Sequence, residues 1–211
     1  MDLSPRTPEE RYGPALVKAQ EEMKSRSPQV VAEWAGVQYS GSEDAGEFTV
    51  RFWDSNYTIQ FPDASILDAA GAEPQIGTKI ILLHYLLTAT GVPLTDRWVA
   101  FREFPGGLGY DAAFQARANQ RLAATFGERL PAFETAARGL GGMPLDVGDM
   151  AFTFDLLPRV RVAVVIYAAD EEFPASANLI FDGATGDYLP TEDIAVLGDI
   201  VAGRLSKYKS D

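Results

Sequence analysis

Apolar and polar positions along this chain follow two different periods. From Phe48 the alternation is strict, with Phe48, Val50 and Phe52 separated by Thr49 and Arg51. Beyond Asp54-Ser55-Asn56, the residues Tyr57, Ile59 and Phe61 are separated by Thr58 and Gln60. Two alternating runs around a polar turn predict an antiparallel hairpin with one apolar face. The same period returns at Met150, Phe152 and Phe154, and again at Val160, Val162, Val164 and Ile166. Leu179-Ile180-Phe181 reads as a further strand, and so does Trp98 to Phe104, which sets Val99, Phe101 and Glu103 on one face.

Between these stretches the period is helical. Thr7-Pro8-Glu9-Glu10 supplies a capping hydroxyl, a proline at the first helical position and the glutamate of a capping box, predicting a helix to about Lys24. A shorter helix runs from Ser27-Pro28 to Gly36, and the polar stretch from Ser40 to Gly46 reads as a loop. A helix over 78–90, with Thr78 as cap and Gly91 as stop, carries apolar residues all around its wheel and is expected to be buried. Gly106-Gly107-Leu108-Gly109 reads as a turn, followed by helices from Tyr110 to Phe126 and from Pro131 to Arg138. Thr191-Glu192-Asp193 opens a last helix with the stripe Ile194, Leu197, Val201 and Leu205.

Strands in hairpins with helices segregated between them predict an α+β fold, an antiparallel hairpin-built sheet with a buried helix and flanking helices. The expected organisation is an N-terminal helical arm over 1–39 and a single α+β domain over 40–211. Hairpin 48–61 with helix 78–90 also matches hairpin 150–166 with helix 191–207 in outline, a weak internal duplication with slight residue identity.

The composition mainly excludes. The 211 residues contain no cysteine, which removes disulfides, iron–sulfur clusters, thiolate zinc sites and thiol catalysis. Eighteen basic against 30 acidic residues give a net charge of −12, which repels phosphate backbones and anionic lipid heads. Neither nucleic acid nor a membrane is an expected partner. The apolar run from Ile80 to Leu87 is much too short to cross a bilayer, and Met1 to Pro5 shows no secretory pattern, so cytoplasm is the expected compartment.

Few residues carry candidate chemistry. His84 is the only histidine, so it pairs with no second imidazole on a metal. It reads either as a core histidine bonded within the fold or as an axial ligand to a tetrapyrrole in an apolar pocket. Arg102 and Glu103 end a strand before Gly106 and Gly107, which suits a ligand site with close backbone approach, or equally an ion pair and a tight turn. Together His84, Arg102, Glu103, Gly106 and Gly107 form the candidate cofactor-binding set. Asp170-Glu171-Glu172 could supply acid/base or divalent-metal chemistry, although neighbours on an extended chain point to opposite sides. There is no nucleophile elbow, phosphate loop or calcium loop.

Leu83-His84-Tyr85-Leu86, Trp98 to Gly107, Glu172-Phe173, Ile180-Phe181-Asp182 and Glu192-Asp193, taken as a set, resemble one prokaryotic family. It is domain-of-unknown-function family 3786, and the resemblance covers about residues 30 to 207. It implies no activity, and no site residue is transferable. It does imply a redox or cofactor context, because some members carry a cysteine-rich iron–sulfur segment beside the domain, in anaerobes with corrinoid metabolism. This chain lacks those cysteines.

The function expected first is a non-enzymatic accessory protein binding a small molecule or cofactor. Two alternatives stand beside it: an enzyme using Glu103 and the 170–172 acids, and an interaction or assembly domain docking through its N-terminal helices. Without cysteine and with one histidine, the melting temperature should be unchanged by EDTA or reductant. A loss of several degrees with chelator would instead point to a structural metal held by carboxylates.

Overall fold

In a computed structural model describing residues 7–208, the alternating segments form two antiparallel sheets and the helical ones form six helices among the described residues. The Met1 to Pro5 segment read for a leader lies outside the described residues. Contacts divide the chain into two compact units. One runs up to Val92 and takes in Asp187–Pro190, and the other comprises Pro93–Gly186 and the chain from Thr191.

In the first unit, α1 (Pro8–Met23) starts with the expected capping box. The Glu10 N–H donates to the Thr7 hydroxyl, and the Glu10 carboxylate accepts from the Thr7 N–H. After α2 (Pro28–Ala35) comes a four-stranded meander, β1 (Gln38–Gly41), β2 (Gly46–Phe52), β3 (Ser55–Phe61) and β4 (Ile66–Asp68), paired in that order. The β2–β3 hairpin is the expected one, with its turn one residue earlier, at Trp53-Asp54, because Phe52 pairs with Ser55. Part of the expected loop from Ser40 is strand: β1 is polar and exposed, so it carries no apolar alternation to betray it.

The helix α3 (Ile76–Thr88) is buried along most of its circumference through Ile80, Ile81, Leu82, Leu83, Tyr85 and Leu86. It begins two residues before Thr78, whose N–H donates to the Gln75 carbonyl inside the first turn, so Thr78 is not the cap. Both α1 and α2 pack on α3. The stretch expected to be a separate arm is therefore part of the first unit, burying Ala19, Met23, Val31 and Ala35. A distant segment completes this unit. Tyr188 is fully buried, stacks on Tyr85 at 5.6 Å, donates its hydroxyl to the Val92 carbonyl, and accepts at its own carbonyl from the Thr88 hydroxyl.

The second unit holds β5 (Trp98–Ala100), the long helix α4 over 107–126, α5 (Leu130–Gly139), β6 (Met143–Leu145), β7 (Met150–Leu157), β8 (Val160–Tyr167), β9 (Ser176–Asp182) and α6 (Thr191–Lys207). Its sheet order is β5-β9-β8-β7-β6, antiparallel throughout. The stripe Ile194, Leu197, Val201 and Leu205 is buried, and α6 packs on α4 and α5. Each unit thus runs helix, helix, four-strand meander, helix, and the second adds β5 at the β9 edge. The outline similarity read from the hairpins extends to the whole order of elements.

Because apolar contacts surround α3, Leu83→Ala or Leu86→Ala should lower stability by about 2–5 kcal/mol in urea unfolding. A loss within about 0.5 kcal/mol, the range of surface changes, would remove α3 from the core.

Candidate functional site

The segment from Trp98 to Gly107 does not run on as a strand. Pairing with β9 stops at Ala100, and Phe101–Glu103 closes into a 3₁₀ turn whose ring Phe101 is buried. The turn is sealed by Glu103, whose Oε1 accepts from the Ala100 N–H at 2.7 Å. Face alternation therefore fails after Ala100, and Phe101 and Glu103 do not share a strand face. The aromatic residues turn inward instead: Phe101 stacks on Phe114 at 4.3 Å, Phe114 lies 6.0 Å from Phe181, and Phe104 meets Phe181 edge-on at 5.7 Å.

The two glycines serve this corner. Gly106 has φ +77°, a left-handed conformation that side chains disfavour, and it precedes the first residue of α4. At Gly107 a Cβ would lie 2.2 Å from the Phe101 carbonyl oxygen and 3.3 Å from the Arg102 Cα. The close backbone approach expected there is an approach of the chain to itself. Helix α4 consequently starts at Gly107, three residues before the expected Tyr110.

Midway along α4 the helix widens into a π-helical turn, Gln115–Asn119. The cause is a sheet edge. With β5 ending at Ala100, the Leu179 N–H has no neighbouring strand on that side, and Asn119 Oδ1 accepts from it at 3.0 Å. The Asn119 amide in turn donates to Gln115 at 2.8 Å. The same stretch directs Arg117 outward, where Nη1 donates to the Tyr110 hydroxyl at 2.9 Å and the guanidinium lies 5.8 Å from the ring centre.

This corner exposes Arg102, Glu103, Leu108, Tyr110 and Arg117. Leu108 is 76% exposed, more than any other large apolar residue described, and Tyr110 is 42% exposed. Both arginines are exposed, and neither forms an ion pair among the described residues. Glu103 is turned back on Ala100, and Asp111 accepts from Gln115. The sequence singled out Arg102 but not Leu108, Tyr110 or Arg117. Tyr110 and Arg117 are seven residues apart, two helical turns, which was the available signal.

The remaining candidates separate. Arg102, Glu103, Gly106 and Gly107 come together at this corner, whereas His84 belongs to the first unit, half-buried on α3 with its carbonyl accepting from the Thr88 hydroxyl. Asp170 accepts from the Glu172 and Phe173 N–H groups, and the bond from Phe173 chiefly holds its pKa below the ordinary carboxylate value. The acids at 170–172 thus form a self-closed exposed turn. No group of three or more metal-ligating side chains gathers among the described residues, and none of their helices is long and apolar enough to cross a membrane. An open groove of about 490 Å³ lies farther along α4, walled by Ala123, Ala124 and Ala175. Its arginine, Arg129, is spent on the Thr125 carbonyl.

A family model described as a domain of unknown function, DUF3786, matches residues 27–204. The chain belongs to this family. The match takes in the whole corner and begins after α1. No curated protein and no solved structure matches the chain.

Asp182, among the residues carrying the family resemblance, anchors the corner. It is 1% exposed and accepts from the Thr95 N–H and hydroxyl, the Asp96 N–H at 2.7 Å and the Ala184 N–H at 2.9 Å. Burial disfavours its charge, but the donors of Thr95, Ala184 and Asp96 outweigh burial and hold its pKa below the usual carboxylate range. Asp96, at φ +53°, also meets Arg161 at 3.1 Å, and Arg161 bonds Asp155 at 2.7 Å. A depressed folded pKa means that the Asp182 contribution is fully present above the unfolded value, about 3.9, and is lost as pH falls through the folded value below it. Asp182→Asn should cost about 1–3 kcal/mol at neutral pH, the penalty for a buried donor left unpaired, and should flatten the acid limb of stability against pH. An unchanged acid limb would assign that loss to other carboxylates.

Proposed function

We propose that this protein is a non-enzymatic binding module that takes a carboxylate-bearing ligand at the corner formed by Arg102, Leu108, Tyr110 and Arg117. One observation carries the reading: two exposed guanidiniums stand without an acidic partner among the described residues, in a chain with 30 acids and 18 bases. Four other exposed arginines are spent within the chain, Arg26 on Glu22, Arg138 on Glu134, and Arg51 and Arg129 on the backbone carbonyls of Trp53 and Thr125, while Arg97 likewise meets no acid. The guanidinium is planar, donates in a fixed fork, and matches a carboxylate with two parallel bonds. It also stays protonated at every physiological pH, so it offers recognition and not proton transfer. Tyr110, held beside Arg117, adds apolar surface for the body of the ligand. This reading needs no residue of the first unit, and so no axial imidazole.

Phenylacetate, an anion with an apolar body, tests it against the uncharged phenylacetamide. In amide NMR spectra, phenylacetate should shift resonances clustered at residues 102–117, and Arg102→Ala together with Arg117→Ala should abolish the shifts. Equal shifts with phenylacetamide, or shifts scattered over the chain, would defeat the proposal.

A further inference from the structure

We infer that Asp187–Pro190 is a strap through which the folding of each unit stabilises the other. The inference is independent of what the corner binds.

The strap is defined by where its side chains lie. Gly186 before it and Thr191 after it belong to the second unit, yet the four residues between them belong to the first. Tyr188 and Leu189 are fully buried there. Tyr188 stacks on Tyr85 of α3, its hydroxyl donates to the Val92 carbonyl, and its own carbonyl accepts from the Thr88 hydroxyl. One residue thereby grips the last turn of α3 and the point where the chain leaves the first unit. With its ring out of water and its polar groups paired, Tyr188 is a part of that core that the preceding chain does not supply.

Both ends of the strap are anchored in the second unit. The Thr191 hydroxyl donates to the Pro105 carbonyl at 2.8 Å. Gly186 lies against the neighbouring residue, since a Cβ there would stand 3.3 Å from the Phe104 ring. The chain entering this unit is also bound to the chain returning from β9. Asp182 accepts from the Thr95 and Asp96 N–H groups, and the Gly183 N–H donates to the Arg97 carbonyl at 2.8 Å.

These bonds shorten the path by which the strap finds its site. Val92 and Tyr188 are 96 residues apart in sequence. With the second unit unfolded, their meeting closes a loop of that whole length. With it folded, the bonds joining 95–97 to 182–183 cut the open chain to roughly a tenth, and closure falls off as about the −3/2 power of length. The local concentration of Tyr188 at its site therefore rises on the order of thirtyfold. Coupling between two equilibria is reciprocal, so a folded first unit, holding Tyr188 to Val92, favours the second by the same factor.

The test leaves every core side chain in place and lengthens the tether. A flexible Gly-Ser linker of roughly thirty residues, long enough to lower the local concentration about tenfold, is inserted between Gly186 and Asp187, between Pro190 and Thr191, or at both points. Urea unfolding of each full chain is followed through the amide NMR signals of α3 for the first unit and of β8 for the second. Either linker alone leaves the other anchor holding the strap and should change little. Both together should weaken the folding of whichever unit unfolds first by about tenfold, and leave the later transition unchanged, because only the earlier one occurs while the strap is closed. Complete loss of one unit's signals in the double-linker chain, with both single-linker chains folded, is the extreme of the same result. A double-linker chain that unfolds like the unaltered protein overturns the inference. So does a double-linker loss equal to the two single-linker losses combined, since that is local damage at each insertion and not release of a tether.

Discussion

A carboxylate removed from water at the end of β9 decides how the second unit begins. Asp182 cannot stay charged in that position without donors, and it finds them in the backbone of Thr95, Asp96 and Ala184. Those bonds hold the entry to β5 beside the exit from β9, which registers Trp98 against Asp182 and Ala100 against Ile180. With β5 so placed, Phe101 falls over Phe114 and Phe181, the chain must turn at Glu103, and α4 can start only where a glycine clears the Phe101 carbonyl. The exposed corner is the outer side of this inward-facing aromatic arrangement.

The two units show one order of elements under different constraints. In each, the helix after the meander is strongly apolar on its buried surface and receives the first helix of the unit. They part at the last strand of the meander. In the second unit β9 gains β5 as a neighbour, and the resulting short pairing leaves the Leu179 N–H to be satisfied by Asn119. That demand on α4 accounts for its π-helical turn, since a side chain must reach the strand edge from a helix that otherwise runs on. The first unit has no strand beyond β4 among the described residues, and closes instead around Tyr188 through its stack on Tyr85 and its bond to the Val92 carbonyl.

Several residues that invite a chemical role are satisfied by the fold. Glu103 caps its own turn, Asp170 accepts two N–H groups of its own loop, and Gly107 clears a carbonyl of its own chain. Arg102 and Arg117, like Arg97, meet no acid among the described residues, and Arg117 donates to the Tyr110 hydroxyl. In a strongly acidic protein that is an energetic opportunity left for something outside the chain, and it fits recognition of an anion better than chemistry upon one.

The sequence by itself determined the elements whose signal is local. Alternation at Phe48–Phe61 and Met150–Ile166, the capping box at Thr7, and the all-round apolar surface of α3 follow from side-chain direction and backbone valence, which are set within a few residues. The α+β class followed from them. Short or polar strands such as β1 and β4 carry no such period, because neither buries a full apolar face, and they exist through pairing. The strand read from Trp98 to Phe104 was cut short for the same reason: only β9 could say where pairing ends. Arg102 and the glycines were legible as an unusual cluster, but Leu108 read as one more apolar residue. Its exposure and the lack of an acid beside Arg117 depend on what the rest of the chain places nearby, and so does the membership of Tyr188 in the first unit. Burial and charge compensation are properties of neighbours in space, and a distance of many tens of residues along the chain hides them until the chain is folded.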